Sequence, residues 1–329
     1  MDQRLEQLKI WLQQSDIQFD SITPASADAS FRRYFRITGV AANDNGKTET
    51  RIIMDAPPDK EDCRPFIKIA TMLYELGLNV PQILQQDLQQ GFLLLSDLGD
   101  TVFLSVLNND TVEDLYRAAM QSLLLMQQKQ DADLPLYSET FLRNEMALFT
   151  EWYLGKQLSI TLTPGQTAVL ENAFDILVNN ALTQPQVLVH RDYHSRNLMI
   201  NELQADKPGI IDFQDAVIGA VTYDLVSLLK DCYISWPREK VEAWVKTFQQ
   251  QAESVGIIKN VSTEEFLRWF DLMGLQRHIK VAGIFSRLKH RDGKTGYLKD
   301  IPRTMDYVFD VVARYPEFKP LQKLLGEII

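Results

Sequence analysis

The spacing of apolar residues along the chain changes character near residue 100. Before that point, short runs rich in aromatic and β-branched residues alternate with turn formers. FRRYFRITGV and TETRIIMDAP predict strands, and AANDNGK between them predicts a hairpin turn. CRPFIKIATMLYELGL carries apolar residues at helical spacing and stops at Gly77. VPQILQQD and GFLLLSDLGD predict a further strand pair. Beyond residue 101, long helical periods take over in TVEDLYRAAMQSLLLMQQ, SETFLRNEMALFTEWYLG, TPGQTAVLENAFDILVNNAL and STEEFLRWFDLMGLQRHIKVAGIFSRLKH. No internal repeat and no low-complexity tract interrupts them. A sheet-rich front, residues 1–97, and a larger helical back, residues 98–329, predict two lobes with a cleft between them.

One stretch breaks the helical texture. In VLVHRDYHSRNLMI, apolar residues run into His190-Arg191-Asp192, Asn197 follows, and LMI resumes at once. NELQADKP then supplies turn formers and charges, so LMI and GII read as the arms of a hairpin. If Ile200 pairs with Gly209, then Leu198 opposes Ile211 and Asn197 falls opposite Asp212. Directly opposed positions hold their Cβ atoms about 5 Å apart. An amide oxygen beside a carboxylate is a suitable mount for Mg²⁺, which takes one or two protein oxygens and fills its shell with water and phosphate.

Composition narrows the setting. The chain has 329 residues, 45% hydrophobic and 24% charged, with a net charge of -10. An acidic chain lacks the clustered Lys and Arg that nucleic acid or anionic lipid demands, so neither is an expected partner. The two cysteines, Cys63 and Cys232, have no metal-type spacing. MDQRLEQLKIWLQQS is amphipathic and charged rather than signal-like, and no apolar run approaches the roughly 20 residues of a membrane span. These features predict a soluble cytoplasmic protein.

The spacing H-R-D-x-x-x-x-N with a downstream Asp-Phe is a phosphoryl-transfer set. Transfer from ATP needs the phosphate charge neutralised, which metal ions supply. It also needs an acceptor hydroxyl held in line with a carboxylate to take its proton. Asp192 is the expected catalytic base, and Asn197 and Asp212 the expected Mg²⁺ ligands. The competing reading makes these residues turn formers and a strand-end cap. The combination of spacing, hairpin and Asp-Phe ending argues against it.

With these residues in place, the sequence resembles the aminoglycoside phosphotransferase and choline kinase branch of the kinase fold. The resemblance implies an α+β, two-lobed protein-kinase-like fold with a small antiparallel-sheet N-lobe and a mostly helical C-lobe. His194 stands where protein kinases usually place Lys, and is expected beside the substrate with Asp192. Only 11 residues separate Asp212 from Asp224, too few for an activation segment. Asp224, in GAVTYDLVSLL, is expected to cap a helix or brace the catalytic loop, and Asp215 to sit in a turn. The resemblance makes the backbone from Leu95 through Asp97 to Leu98 the adenine hinge. SFRRYFRITG takes the place of the phosphate-covering loop. It lacks G-x-G-x-x-G, so the amides of Ser30 and Phe31, with Arg32 or Arg33, are expected to meet the phosphates. The usual strand lysine is missing: its position falls at Met54 or Asp55, with Lys60, Lys47 or an arginine from residues 32–36 as substitutes.

Nearly full-length likeness, in SFRRYFR, MDAPPDKEDCRPF, LLLSDLGD, HRDYHSRNL, IDFQDAVIGAVTYDL and RHIKVAGIFSRLKHRDGKTGYL, further resembles the bacterial anomeric sugar kinases. These imply ATP-dependent phosphorylation of N-acetylmuramate and N-acetylglucosamine at the C1 hydroxyl, in cell-wall recycling. The lactyl carboxylate of N-acetylmuramate favours an arginine. Arg277, Lys280 and Arg287 fall on one helix face and are the candidates, against the alternative of a solvated basic face. Trp152-Tyr153 could stack on a sugar or belong to the core. Other acceptors of the same fold (an aminoglycoside, an amino alcohol or another sugar) and a catalytically dead member that binds nucleotide or a partner remain alternatives.

Overall fold

The computed structural model describes residues 2–27, 31–41, 48–129, 132–201 and 204–329; the turn expected at residues 42–47 and the candidate Ser30 lie outside them. The chain forms two compact units, Met1–Thr101 with Met199–Asp215, and Val102–Leu198 with Ala216–Ile329. The segment Met199–Asp215, placed by sequence with the back half, thus packs with the first unit. Phe213 lies 5.0 Å from Phe66, and Ile210 N–H donates to Asn79 O at 2.8 Å.

The first unit carries α1 (Gln3–Gln14), β1 (Ser21–Ala27), β2 (Arg33–Ala41), β3 (Thr48–Asp55), α2 (Cys63–Glu75), β4 (Ile83–Asp87) and β5 (Phe92–Ser96). Its sheet has the order β1-β2-β3-β5-β4, with every pairing antiparallel. Alternate residues share a sheet face. Phe35, Ile37, Ile53, Phe92 and Leu94 therefore form one apolar face, which packs on Leu8, Trp11 and Leu12 of α1. Asp55 continues that face and is fully buried. A buried carboxylate needs paired cations. Arg4 of α1 donates to it, as does Arg33 of β2 at 3.0 and 2.5 Å. The helix α2 starts on Asp62, whose side chain accepts from Arg64 N–H at 2.9 Å. It stops before Gly77, whose φ of +81° only glycine adopts without strain.

The second unit begins with α3 (Phe103–Val106), α4 (Val112–Gln127), α5 (Glu139–Leu148) and α6 (Pro164–Thr183), then β6 (Gln186–Val189). The strands β7 (Leu198–Met199) and β8 (Gly209–Ile210) pair as a hairpin. Then follow β9 (Val217–Ala220), α7 (Tyr223–Leu229), α8 (Arg238–Ser254), α9 (Thr263–Asp292), α10 (Ile301–Arg314) and α11 (Lys319–Ile328). The strands β6 and β9 pair antiparallel, Val189 opposite Val217. The TPGQ start of α6 is a capping box. Gln166 N–H donates to Thr163 Oγ1, and Thr163 N–H donates to Gln166 Oε1 at 2.9 Å.

The pattern SETFLRNEMALFTEWYLG forms α5 and then widens into a π-helix, Phe149–Gln157. Gly283 of α9 crosses at this junction. A Cβ there would stand 2.4 Å from Leu148 C and 2.6 Å from Phe149 N, so only a hydrogen fits. Gly165, by contrast, has open space around it. We expect Gly283→Ala to destabilise the protein by about 1–3 kcal/mol or more, read as a lower urea midpoint. Gly165→Ala should leave the midpoint unchanged or slightly raised.

Candidate active site

In the second unit, β6 ends at Val189 and the chain turns sharply. Arg191 adopts φ +78°, a left-handed conformation costing a non-glycine residue about 1–3 kcal/mol unless its surroundings hold it. They do: Asp224, fully buried in the first turn of α7, accepts the N–H of His190 at 2.6 Å and of Arg191 at 2.9 Å. Asp224 thus braces the loop. Asp231, just beyond α7, grips the other end, accepting from Ser195 N at 3.0 Å and Oγ at 2.5 Å. Between these grips the Asp192 carbonyl accepts His194 N–H and Asn197 Nδ2, each at 3.0 Å. The Asn197 amide nitrogen is thereby turned to the backbone, and Oδ1 is the end suited to a hard cation.

Charge converges around this loop. Glu145 of α5 takes Arg191 Nη2 at 2.5 Å, Lys280 Nζ at 2.9 Å and the Tyr137 hydroxyl. Lys280 also donates to the Tyr223 hydroxyl at 2.9 Å. Burial disfavours a charge on Asp192, but Lys280, then His194 and Arg277, outweigh it and hold the carboxyl below the ordinary aspartate range. Burial likewise opposes Glu145, and Lys280 and Arg191 overcome it. At Asp224 burial wins over the two N–H donors and pushes the carboxyl up to about 7.

The basic face expected on α9 divides on inspection. Lys280 is committed to Glu145 and Tyr223. Arg277 is buried, with Nη1 on Cys232 Sγ at 3.6 Å. Arg287 is half-buried, and burial with nearby Arg291 pulls its guanidinium below the usual range. His194 packs edge-on against Tyr233 at 5.4 Å, and burial lowers its pKa. Tyr153 is buried against Phe149 and belongs to the core, whereas Trp152 is only partly buried. Glu145 and Asp231 escaped the sequence reading. Glu145 left a faint signal, a charge occupying a slot in the buried stripe Leu142, Met146, Phe149.

In the first unit, Asp212 has φ +67° and accepts Gln214 Nε2 at 2.8 Å on Oδ1. The hairpin is shorter than expected. Ile200 and Ile211 lie outside the two-residue strands, so the anticipated Ile200–Gly209 strand pair is absent. The reason is that Ile200 N–H donates to Thr101 O at 2.8 Å. In the expected hinge, Leu95 is buried between Ile52 and Ile83. Asp97 accepts Arg36 at 2.6 and 3.0 Å and Gly99 N–H at 2.9 Å. With Leu98, Asn79, Ile200 and Lys207, Asp97 lines a cavity of about 620 Å³.

The phosphate-side candidates are placed differently from expectation. Phe31 is 60% exposed, and its N–H donates to Glu61 at 3.1 Å. Arg32 lies 3.8 Å from Glu61. Arg33 is ion-paired with Asp55 and Asp2, and Arg36 with Asp97. Strand alternation turns Arg33 toward α1 and Asp55, which removes it from the phosphate-loop role assigned by sequence. Met54 faces the opposite side and is buried. Lys60 Nζ lies 4.8 Å over the Phe31 ring, and Lys47 lies outside the described residues.

Comparisons with known proteins complete the picture. A model of the phosphotransferase enzyme family matches residues 21–270. An N-acetylmuramate/N-acetylglucosamine kinase of Pseudomonas putida is 45% identical over 99% of this chain and 97% of its own length. One of Neisseria meningitidis serogroup B is 41% identical over 99% and 96%. Among solved structures, the GDP complex of aminoglycoside 2'-phosphotransferase-IIIa matches with a TM-score of 0.62 at 17% identity, covering 95% of this chain and 99% of its own. Plasmodium vivax ethanolamine kinase matches at 0.59 and 12%, covering 88% and 82%. These distant structures establish the protein-kinase-like fold. Among the described residues, no helix is long and apolar enough to cross a membrane.

The brace at Asp224 makes stability depend on pH. Its folded-state pKa of about 7 exceeds the unfolded value of about 4, so the native state binds the extra proton between them. The Asp224 contribution is therefore full below about pH 4 and is lost as pH rises toward 7. Urea unfolding across this range should show that decline in wild type, and Asp224→Asn should flatten it.

Proposed function

The chain belongs to the phosphotransferase enzyme family, and from that premise we propose that it transfers the γ-phosphoryl group of ATP to the anomeric C1 hydroxyl of N-acetylmuramate and N-acetylglucosamine. The observation that carries this reading is the 45% identity, over 99% of the chain, to a kinase named for these two sugars. The use of ATP as phosphoryl donor supports a cytoplasmic location for the reaction.

Asp192 accepts the C1 hydroxyl proton as the sugar oxygen bonds the γ-phosphorus and ADP leaves. An anomeric hydroxyl is more acidic than an ordinary alcohol, so one carboxylate suffices as base. Lys280 and Arg277 keep that carboxylate ionised despite its burial. Asn197 Oδ1 and the Asp212 carboxylate are hard oxygen donors that fit Mg²⁺. When bound, Mg²⁺ neutralises charge on the phosphates. The backbone from Leu95 to Leu98 takes the adenine edge. Around residues 30–32, the Ser30 and Phe31 amides and Arg32 serve the phosphates, with the Phe31 amide and Arg32 released from Glu61. Arg277, Lys280 and Arg287 give this side of the second unit a positive field suited to an acidic sugar.

The test is transfer from ATP·Mg²⁺ to each sugar, with wild type beside Asp192→Asn, read by ³¹P NMR. We expect a C1 phosphate from wild type and a kcat lower by about 10²–10⁴ in the variant. Intact nucleotide binding with no transfer to either sugar would refute the assignment.

A further inference from the structure

Arg196 immediately precedes Asn197 and is the one exposed residue between His190 and Asn197. Its guanidinium lies 4.7 Å over the Tyr233 ring and 5.6 Å over the Tyr297 ring. Those rings belong to a larger shelf. Phe285 of α9 stacks on Tyr297 at 5.3 Å and lies 6.2 Å from Tyr233, whose other neighbour is the His194 ring. Arg191 and Lys280 share Glu145, whereas among the described residues no carboxylate stands within ion-pair distance of Arg196.

An exposed arginine with no carboxylate partner ordinarily samples many rotamers in water. Here two aromatic faces fix its plane. The Tyr233 and Tyr297 hydroxyls also draw on its N–H donors, but a guanidinium carries five, and those that remain present the fork geometry that matches a carboxylate. The other cations near the loop are less suited. Lys280 is bonded to Glu145 and Tyr223, Arg277 is buried on Cys232, and Arg287 is partly buried beside Arg291.

We propose that Arg196, held flat on Tyr233 and Tyr297, binds the carboxylate of an acidic amino sugar and sets the preference for it over the neutral one. This inference rests on the sugar-kinase reading above and names the residue that distinguishes its two substrates. N-acetylmuramate carries a lactyl carboxylate that N-acetylglucosamine lacks, so only the acidic sugar gains the bidentate contact.

The experiment compares kcat/KM for N-acetylmuramate, its methyl ester and N-acetylglucosamine in wild type, Arg196→Met and Arg196→Lys. The wild-type ratio of acid to neutral sugar should fall roughly 10- to 100-fold in Arg196→Met, the worth of one charge-assisted hydrogen-bonded pair. Arg196→Lys, which keeps the charge and loses the fork, should fall between them. Wild type should discriminate acid from ester, and Arg196→Met should not. An unchanged ratio, or an equal fall on both sugars, would overturn the assignment of Arg196 while leaving the sugar-kinase reading standing. Failure of wild type to phosphorylate either sugar would remove that reading and this inference with it.

Discussion

Everything at the candidate base depends on a clamp made by a single short helix. Asp224 lies in the first turn of α7 and Asp231 just past its end, and each is buried. Asp224 holds the N–H groups at His190 and Arg191, and Asp231 holds Ser195. Two ends of one helix therefore grip two ends of one loop. Every residue of α7 is buried, and β9, paired with β6, delivers the chain into it. A left-handed arginine persists because these surroundings over-determine it. Asp192 and Asn197 take their positions from the clamp, with Asn197 closing the loop on the Asp192 carbonyl.

The same electrostatic rule organises both units, with different results. In the first, Asp55 is buried between Arg4 and Arg33, and the cluster ties α1 to the sheet. In the second, Glu145 is buried between Arg191 and Lys280 beside the His190–Asn197 loop. Two cations around one carboxylate leave positive potential over, and Asp192 lies in that field. Removing a partner from such a buried group strands its charge, so both clusters constrain the fold as well as the site. The strand position where kinases keep a lysine is absorbed here into the α1 cluster at Asp55 or into the core at Met54.

Much of this was legible in the sequence where the information is local. Helical spacing located α2, α4, α6 and α9, Gly77 marked the end of α2, and H-R-D-x-x-x-x-N marked the loop. The shared face of Arg277, Lys280 and Arg287 followed from helix geometry alone. What stayed hidden depends on partners far along the chain. SITPASA has no apolar alternation, so β1 gives no strand signal. Adjacent Arg32 and Arg33 look equivalent until α1 brings Asp2 and Arg4 against one strand face. The start of the π-helix packs on a glycine more than a hundred residues later, Gly283. The hairpin register failed because Thr101 captures the Ile200 amide. Asp231 reads as an ordinary helix-end acid until the fold sets it under Ser195.

On this account the candidate catalytic loop is rigid before any substrate arrives, held by carboxylates rather than by strand pairing. Native-state amide hydrogen exchange at His190, Arg191 and Ser195 measures this directly. The clamp predicts protection approaching that of the Val187–Val189 strand amides, because opening them requires breaking into a buried core. Exchange at the rate of exposed loop amides would contradict it, and the base would then have to be positioned by substrate binding itself.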